Sequence, residues 1–120
     1  MFEILLIPAF KDNYIWLLVR DGHAAVVDPG DPTPVIARLE ALQLKLDTIL
    51  ITHHHADHQG GVEELVARWQ PRVFGPAKES ITGCTDPLSG GERIEVLGQA
   101  VAVLQVGGHT RAHLAYYVPG

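Results

Sequence analysis

The sequence predicts an α+β fold in which mixed β-sheets pack together and helices flank them. Three observations carry that expectation. Short apolar runs of strand length occupy both ends of the chain. Two segments of helical period lie between them, each following a strand. The resulting order, three strands, then α-β-α-β, then three more strands, mixes a meander with crossover units, which suggests sheet on sheet with helices outside.

Each element has a local reason. Residues 2–7 and 14–19 are apolar runs separated by the turn-like Lys11-Asp12-Asn13, and 24–27 is a third run, ended by Asp28-Pro29-Gly30. A helix starts near Pro32 or Thr33, with Pro34 tolerated in its first turn. Its apolar positions Val35, Ile36, Leu39 and Leu42 share helical spacing. Residues 48–51 read as a buried strand. Gly60-Gly61 leads into a second helix over 62–69, with Val62, Leu65, Val66 and Trp69 on one face. Residues 72–74 form a short strand, and 76–91, rich in Gly, Pro, Ser and Thr, reads as loop. Residues 93–97, 100–106 and 114–118 are further strands, and the whole of 1–120 is expected to form one domain.

Composition narrows the functional classes. The chain has 120 residues, 47% hydrophobic and 19% charged, an ordinary globular balance with room for a core. Its net charge of −5 and its scattered Lys and Arg offer no basic stripe for nucleic acid or an anionic membrane. Cys84 is the only cysteine, so no internal disulfide forms, which fits a reducing compartment. The opening Met1-Phe2-Glu3 lacks the bases of a signal peptide, and no apolar run approaches the roughly 20 residues of a membrane helix. A cytoplasmic protein is the expectation.

The chain has seven histidines, and four of them crowd into the run Thr52-His53-His54-His55-Ala56-Asp57-His58. On backbone leaving a strand, side chains at i and i+2 point the same way, so His53 and His55 can meet one ion while His54 points away. Asp57 and His58 sit where the chain turns toward the next helix and can face a second ion, since two-metal sites need only about 3.5–4 Å between ions. Gly107-Gly108-His109-Thr110 repeats the pattern of a histidine in a glycine-softened turn at a strand end. His53, His55 and His109 then form a three-histidine site with an open position for water, as in catalytic zinc sites. Zinc lowers the pKa of bound water from about 15.7 toward about 7 and polarises carbonyls, so hydrolysis is the expected chemistry. No Gly-x-Ser-x-Gly elbow points to a serine nucleophile instead.

The Thr-His-x-His-x-Asp-His signature at Thr52 to His58 resembles the metallo-β-lactamase superfamily. Within it, Ile7-Pro8-Ala9-Phe10-Lys11-Asp12-Asn13-Tyr14-Ile15-Trp16, Val26-Val27-Asp28-Pro29-Gly30, His58-Gln59-Gly60-Gly61-Val62 and Gly108-His109-Thr110 are similar to glyoxalase II (hydroxyacylglutathione hydrolase). The similarity runs from about Ile4 to Tyr117. It implies the first half of an αββα sandwich with a metal site at its edge, hydrolysing S-D-lactoylglutathione to D-lactate and glutathione. By position, it assigns His53, His55 and His109 to a first zinc and Asp57 and His58 to a second, with iron or manganese as alternative metals. Asp57 is also the expected catalytic residue, His54 backs the ligands, and Asp28 supports the loops.

Two departures from the family stand out. Gly107 replaces a usual proline, which loosens the turn and keeps the ligand. No Asp or Glu follows Glu95, so the family's bridging carboxylate and last histidine have no counterpart here. The expectation is a fragment truncated on its C-terminal side, binding one zinc, or two weakly, and turning over slowly. Leu104, Val106, Leu114 and Tyr116 would then face water or a partner, which predicts self-association through a sheet edge. A persulfide dioxygenase-like iron oxidoreductase and a non-catalytic metal-binding fragment are the rival readings. Tyr14, Trp16, Tyr116 and Tyr117 read as core or site lining, Cys84 as inert, His23 as a hairpin residue, and Lys11, Arg68, Arg72 and Arg93 as solvated charges.

Overall fold

The computed structural model describes residues 3–9, 13–52, 61–77, 83–105 and 114–117. Strands β1 (Glu3–Ala9), β2 (Asn13–Arg20) and β3 (His23–Val27) form an antiparallel meander. Asp21 and Gly22, with φ of 53° and 81°, make the two-residue turn between β2 and β3 that matches strand twist. The chain then switches to parallel crossovers. Helix α1 (Pro32–Ala41) leads to β4 (Lys45–Leu50), and α2 (Val62–Trp69) leads to β5 (Arg72–Pro76). A short β6 (Asp86–Leu88) adds in parallel, completing a six-stranded sheet in sequential order β1 to β6. Strands β7 (Arg93–Val96), β8 (Gln99–Gln105) and β9 (Leu114–Tyr117) form a second, antiparallel sheet.

The period of two along the central strands sorts side chains into two cores. Ala24, Val26, Ile49 and Ile51 point to the helix side, where they meet Val35 and Leu39 of α1 and Val62 and Leu65 of α2. Ala25 and Leu50 point the other way, joining Leu18, Phe74, Val96, Val101, Val103 and Leu114 between the sheets. Burial on both faces is why β3 and the end of β4 read as unbroken apolar runs rather than alternations. The expected mixed sheets with flanking helices are therefore present. The described residues make three layers, helix, sheet and sheet. The outer face of the second sheet carries Leu104 and Tyr117 at 47% and 58% exposure.

Helix α1 begins where expected. Asp31 caps it by accepting from the Thr33 backbone N–H at 3.1 Å, and Pro32 occupies a position whose amide needs no partner. Leu42, expected on its apolar face, lies past its C-terminal end and is 47% exposed. The stretch 76–91, expected as loop, contains β6, which the Arg72–Asp86 pair helps to hold beside β5. Arg72 is therefore not simply solvated: it donates two hydrogen bonds to the Asp86 carboxylate and stacks over Phe74 at 4.9 Å. Arg68 likewise bridges α2 to α1 through Glu40 at 3.3 Å. Leu114, expected to face water or a partner, is 1% exposed because it closes the core between the sheets.

Candidate metal centre

The carboxyl ends of parallel strands are where open α/β sheets bind ligands, and the described flanks of the histidine run lie there. The β3–β4 pairing ends at Val27 opposite Leu50 and is extended by the Asp28 N–H donating to Leu50 O at 2.9 Å. The β4–β5 pairing is extended by the Ile51 N–H donating to Phe74 O at 2.8 Å. Asp28 and Thr52 thus leave the sheet side by side.

Asp28 then takes hold of Thr52. Its Oδ1 accepts the Thr52 backbone N–H at 2.8 Å and its Oδ2 accepts the Thr52 hydroxyl at 2.7 Å. The residue stands in left-handed backbone, φ 50°, a conformation Asp tolerates better than most side chains. Its carbonyl accepts from Gly30 N–H at 2.9 Å, which folds the following turn back. The same turn receives the other end of the histidine loop: Gly61 N–H donates to Pro29 O at 2.8 Å. A Cβ on Gly61 would lie 2.8 Å from both Pro29 O and Pro32 N, so only glycine fits this approach. Residues 28–32 therefore clamp both ends of the segment that carries His53, His55, Asp57 and His58.

The second sheet reaches the same place. Leu114 N–H donates to Thr52 O at 2.8 Å, and the Tyr116 hydroxyl donates to Ile51 O at 2.7 Å. The segment bearing His109 thus ends one hydrogen bond away from the residue that opens the histidine run. Burial first, and then the nearby Asp28 charge, push the Tyr116 phenol far above its ordinary pKa, so it acts as a neutral donor and not as a base. Tyr116 and Thr52 also border an open groove of about 300 Å³ walled by Ile4, Trp16, Leu18, Val27 and Leu50.

His53, His55, Asp57, His58 and His109 lie outside the described residues, as do His54 and His113. Among the described residues no group of three or more His, Cys, Asp or Glu side chains is arranged to hold a metal. The roles of Ile51 and Tyr116 were missed by sequence reasoning, because nothing local marks a hydrogen bond spanning 65 positions. Asp28 was recognised as a loop support. His23 is more than a hairpin residue, since its Nδ1 lies 2.9 Å from Asp47 Oδ2 at the opposite end of the sheet. Burial raises the Cys84 thiol above its ordinary pKa, consistent with an inert cysteine.

The family model described as the metallo-beta-lactamase superfamily matches residues 10–120, and the chain belongs to that superfamily. The chain is 70% identical over 120 residues to a hydroxyacylglutathione hydrolase of Dechloromonas aromatica (strain RCB), a match covering 100% of this chain and 45% of that protein. It is 53% identical over 122 residues to the hydroxyacylglutathione hydrolase of Methylobacillus flagellatus, covering 100% of this chain and 49% of that one. The chain spans about half the length of these curated relatives. Among solved structures, the BLEG-1 B3 metallo-beta-lactamase superposes with a TM-score of 0.85 at 24% identity, over 97% of this chain and 67% of that one. ETHE1 from Myxococcus xanthus superposes with a TM-score of 0.80 at 24% identity, over 98% and 53% of the two chains. At these identities the two structures speak to the fold alone.

Proposed function

We propose that this chain carries the histidine half of a glyoxalase II-type metal centre, serving hydrolysis of S-2-hydroxyacylglutathione thioesters such as S-D-lactoylglutathione in the cytoplasm. The observation that carries this reading is the 70% identity, along the whole chain, to a protein named hydroxyacylglutathione hydrolase.

The donor chemistry fits a divalent cation. Imidazole nitrogen with a carboxylate suits zinc, and iron or manganese accept the same set. The hydrogen bond between Leu114 N–H and Thr52 O brings together the flanks of both donor-bearing segments. His53, His55 and His109 would hold one cation, and Asp57 with His58 would contribute to a second. Bound there, zinc supplies a Lewis acid for the thioester carbonyl and acidifies a water. Asp57 would orient that water and take up its proton. Asp28 fixes where the run begins, through its two bonds to Thr52. Five such side chains are enough for the four ligands of one zinc, so at least one bound zinc per chain is expected. Self-association through the second sheet would cover Leu104 and Tyr117, which stand exposed on it.

Zinc content by mass spectrometry, paired with a lactoylglutathione hydrolysis assay on wild type and His53→Ala, tests the reading. One zinc per chain, lost with His53→Ala, is the expected result. A chain that binds no metal, or whose metal content ignores His53, rejects it.

A further inference from the structure

Two hydrogen bonds carry β9 across to the outgoing end of β4, and they use adjacent acceptors. Leu114 N–H reaches Thr52 O at 2.8 Å, and the Tyr116 hydroxyl reaches Ile51 O at 2.7 Å. Leu114 begins β9, directly after the segment containing His109, and Ile51 and Thr52 directly precede His53. The Tyr116 backbone pairs in register with Val103 of β8 and the residue is half-buried, so its position is set by the second sheet. Its hydroxyl, by contrast, is committed to the first sheet. Ile51 cannot drift, since its side chain is fully buried and its own N–H is engaged by Phe74 O at 2.8 Å.

We infer that Tyr116 is a positioning residue for the metal centre: by tying β9 to Ile51, it sets the spacing between the segment carrying His109 and the segment carrying His53 and His55. The inference rests on the metal-centre reading above. A ligand set assembled from two sheets is only as well ordered as the contact between them, and loss of partners that orient ligands costs about 10–100-fold in metal affinity. The phenol is suited to this task because burial keeps it protonated and its single donor has a single acceptor to reach. Without the phenol, Leu114 N–H would be the remaining hydrogen bond described between β9 and the end of β4, beside the packing of the core between the sheets.

Coupling of this kind is reciprocal: if the clasp strengthens metal binding, metal binding strengthens the clasp by the same factor. The test uses the 120-residue chain loaded with cobalt(II) or zinc. Tyr116→Phe keeps the ring and removes the hydroxyl. The expected result is roughly tenfold weaker metal affinity, measured by chelator competition, with an altered cobalt visible spectrum. Leu39→Val, which trims the helix-side core away from the contact between the sheets, lowers the melting temperature and leaves affinity and spectrum as in wild type. In unmutated protein, metal loading slows hydrogen exchange at the Leu114 amide by about the same tenfold factor, a readout that does not depend on any variant folding. A Tyr116→Phe chain that melts earlier yet binds cobalt with wild-type affinity and spectrum overturns the inference, as does Leu114 exchange indifferent to metal. Wild type that binds neither metal overturns the metal-centre reading and this inference with it. Metal-binding wild type with an indifferent Tyr116→Phe overturns the inference alone.

Discussion

Asp28 meets Thr52 at two atoms, its Oδ1 accepting the backbone N–H at 2.8 Å and its Oδ2 the hydroxyl at 2.7 Å. One carboxylate therefore fixes both the backbone and the side chain of the residue that opens the histidine run. Asp28→Ala removes both acceptors and leaves the Thr52 N–H without them, at a cost of about 1–3 kcal/mol. Alanine also fits poorly at φ 50°. Asp28→Asn keeps one carbonyl acceptor and tolerates left-handed backbone, so it should lose well under half as much. Urea unfolding ranks the three proteins, and zinc content should fall in the same order. Equal stability of the Ala and Asn variants would show that the carboxylate grip is not what matters.

Gly61 closes the other end of the loop. A methyl group there would meet Pro29 O and Pro32 N at 2.8 Å, and both are backbone atoms that cannot swing aside. Gly61→Ala must therefore shift the 28–32 turn or the start of α2. A cost of about 1–3 kcal/mol is expected, as for other overpacked sites. Gly22→Ala is the control: its Cβ would meet nothing within 4 Å, although it still carries a positive φ of 81°. Zinc content should drop for Gly61→Ala and hold for Gly22→Ala. The reverse order would break the link between this approach and the loop.

The two strands at the centre of the first sheet were legible because both of their faces are buried. Residues 24–27 and 48–51 could hardly be anything else. The start of β4 was not read, although Lys45 and Asp47 alternating with buried Leu46 is the pattern of a half-buried strand. β6, by contrast, was hidden: Asp86-Pro87-Leu88 has no strand propensity of its own and exists as a strand only because β5 and the Arg72–Asp86 pair receive it. The histidine run was singled out by residue type and spacing alone, and its own residues lie outside the described ones. Its supports were legible only in part. Asp28 was assigned its supporting role through the family resemblance, whereas the bond from Tyr116 to Ile51 joins two sheets and leaves no local trace.

The Arg72–Asp86 pair sets an acid-side prediction. The hydrogen bond from Arg72, then that from the Thr85 hydroxyl, hold the Asp86 carboxyl below its ordinary pKa. A carboxyl depressed in the folded state adds stability that is complete above the unfolded value, about 3.9, and is lost as pH falls through the folded one. The two side chains are 62% and 31% exposed, so screening keeps the contribution under about 1 kcal/mol. Asp86→Asn should be less stable than wild type near neutral pH, and the gap should close below about pH 4. A gap of constant size from neutral pH down to the acid limit would mean that charge plays no part in holding β6.

Leu104 and Tyr117 stand on the outer face of the second sheet at 47% and 58% exposure, flanked by Ala102 and Ala115 in register. Such a face favours association. Sedimentation of the chain should show mass rising with concentration, and Leu104→Lys with Tyr117→Lys should return it to monomer without loss of melting temperature. A wild-type chain that stays monomeric at high concentration contradicts the expectation.

Metal removal tests whether the two histidine segments act as one site. A ligand that binds only the folded chain stabilises it by about 2.7 kcal/mol when its free concentration is a hundred times its dissociation constant. For a chain of this size that corresponds to a rise of roughly 5–15 °C in melting temperature. Zinc should therefore raise the melting temperature, and chelator should reverse the rise. His109→Ala should abolish most of it, because the hydrogen bond between Leu114 and Thr52 joins the flanks of the two segments and, on the proposed reading, the imidazoles share one ion. His23→Ala, whose imidazole pairs with Asp47 at the far end of the sheet, should leave the zinc-dependent rise intact. If His109→Ala keeps the full zinc response, the first cluster binds metal by itself, and the contact between the sheets has no part in assembling the site.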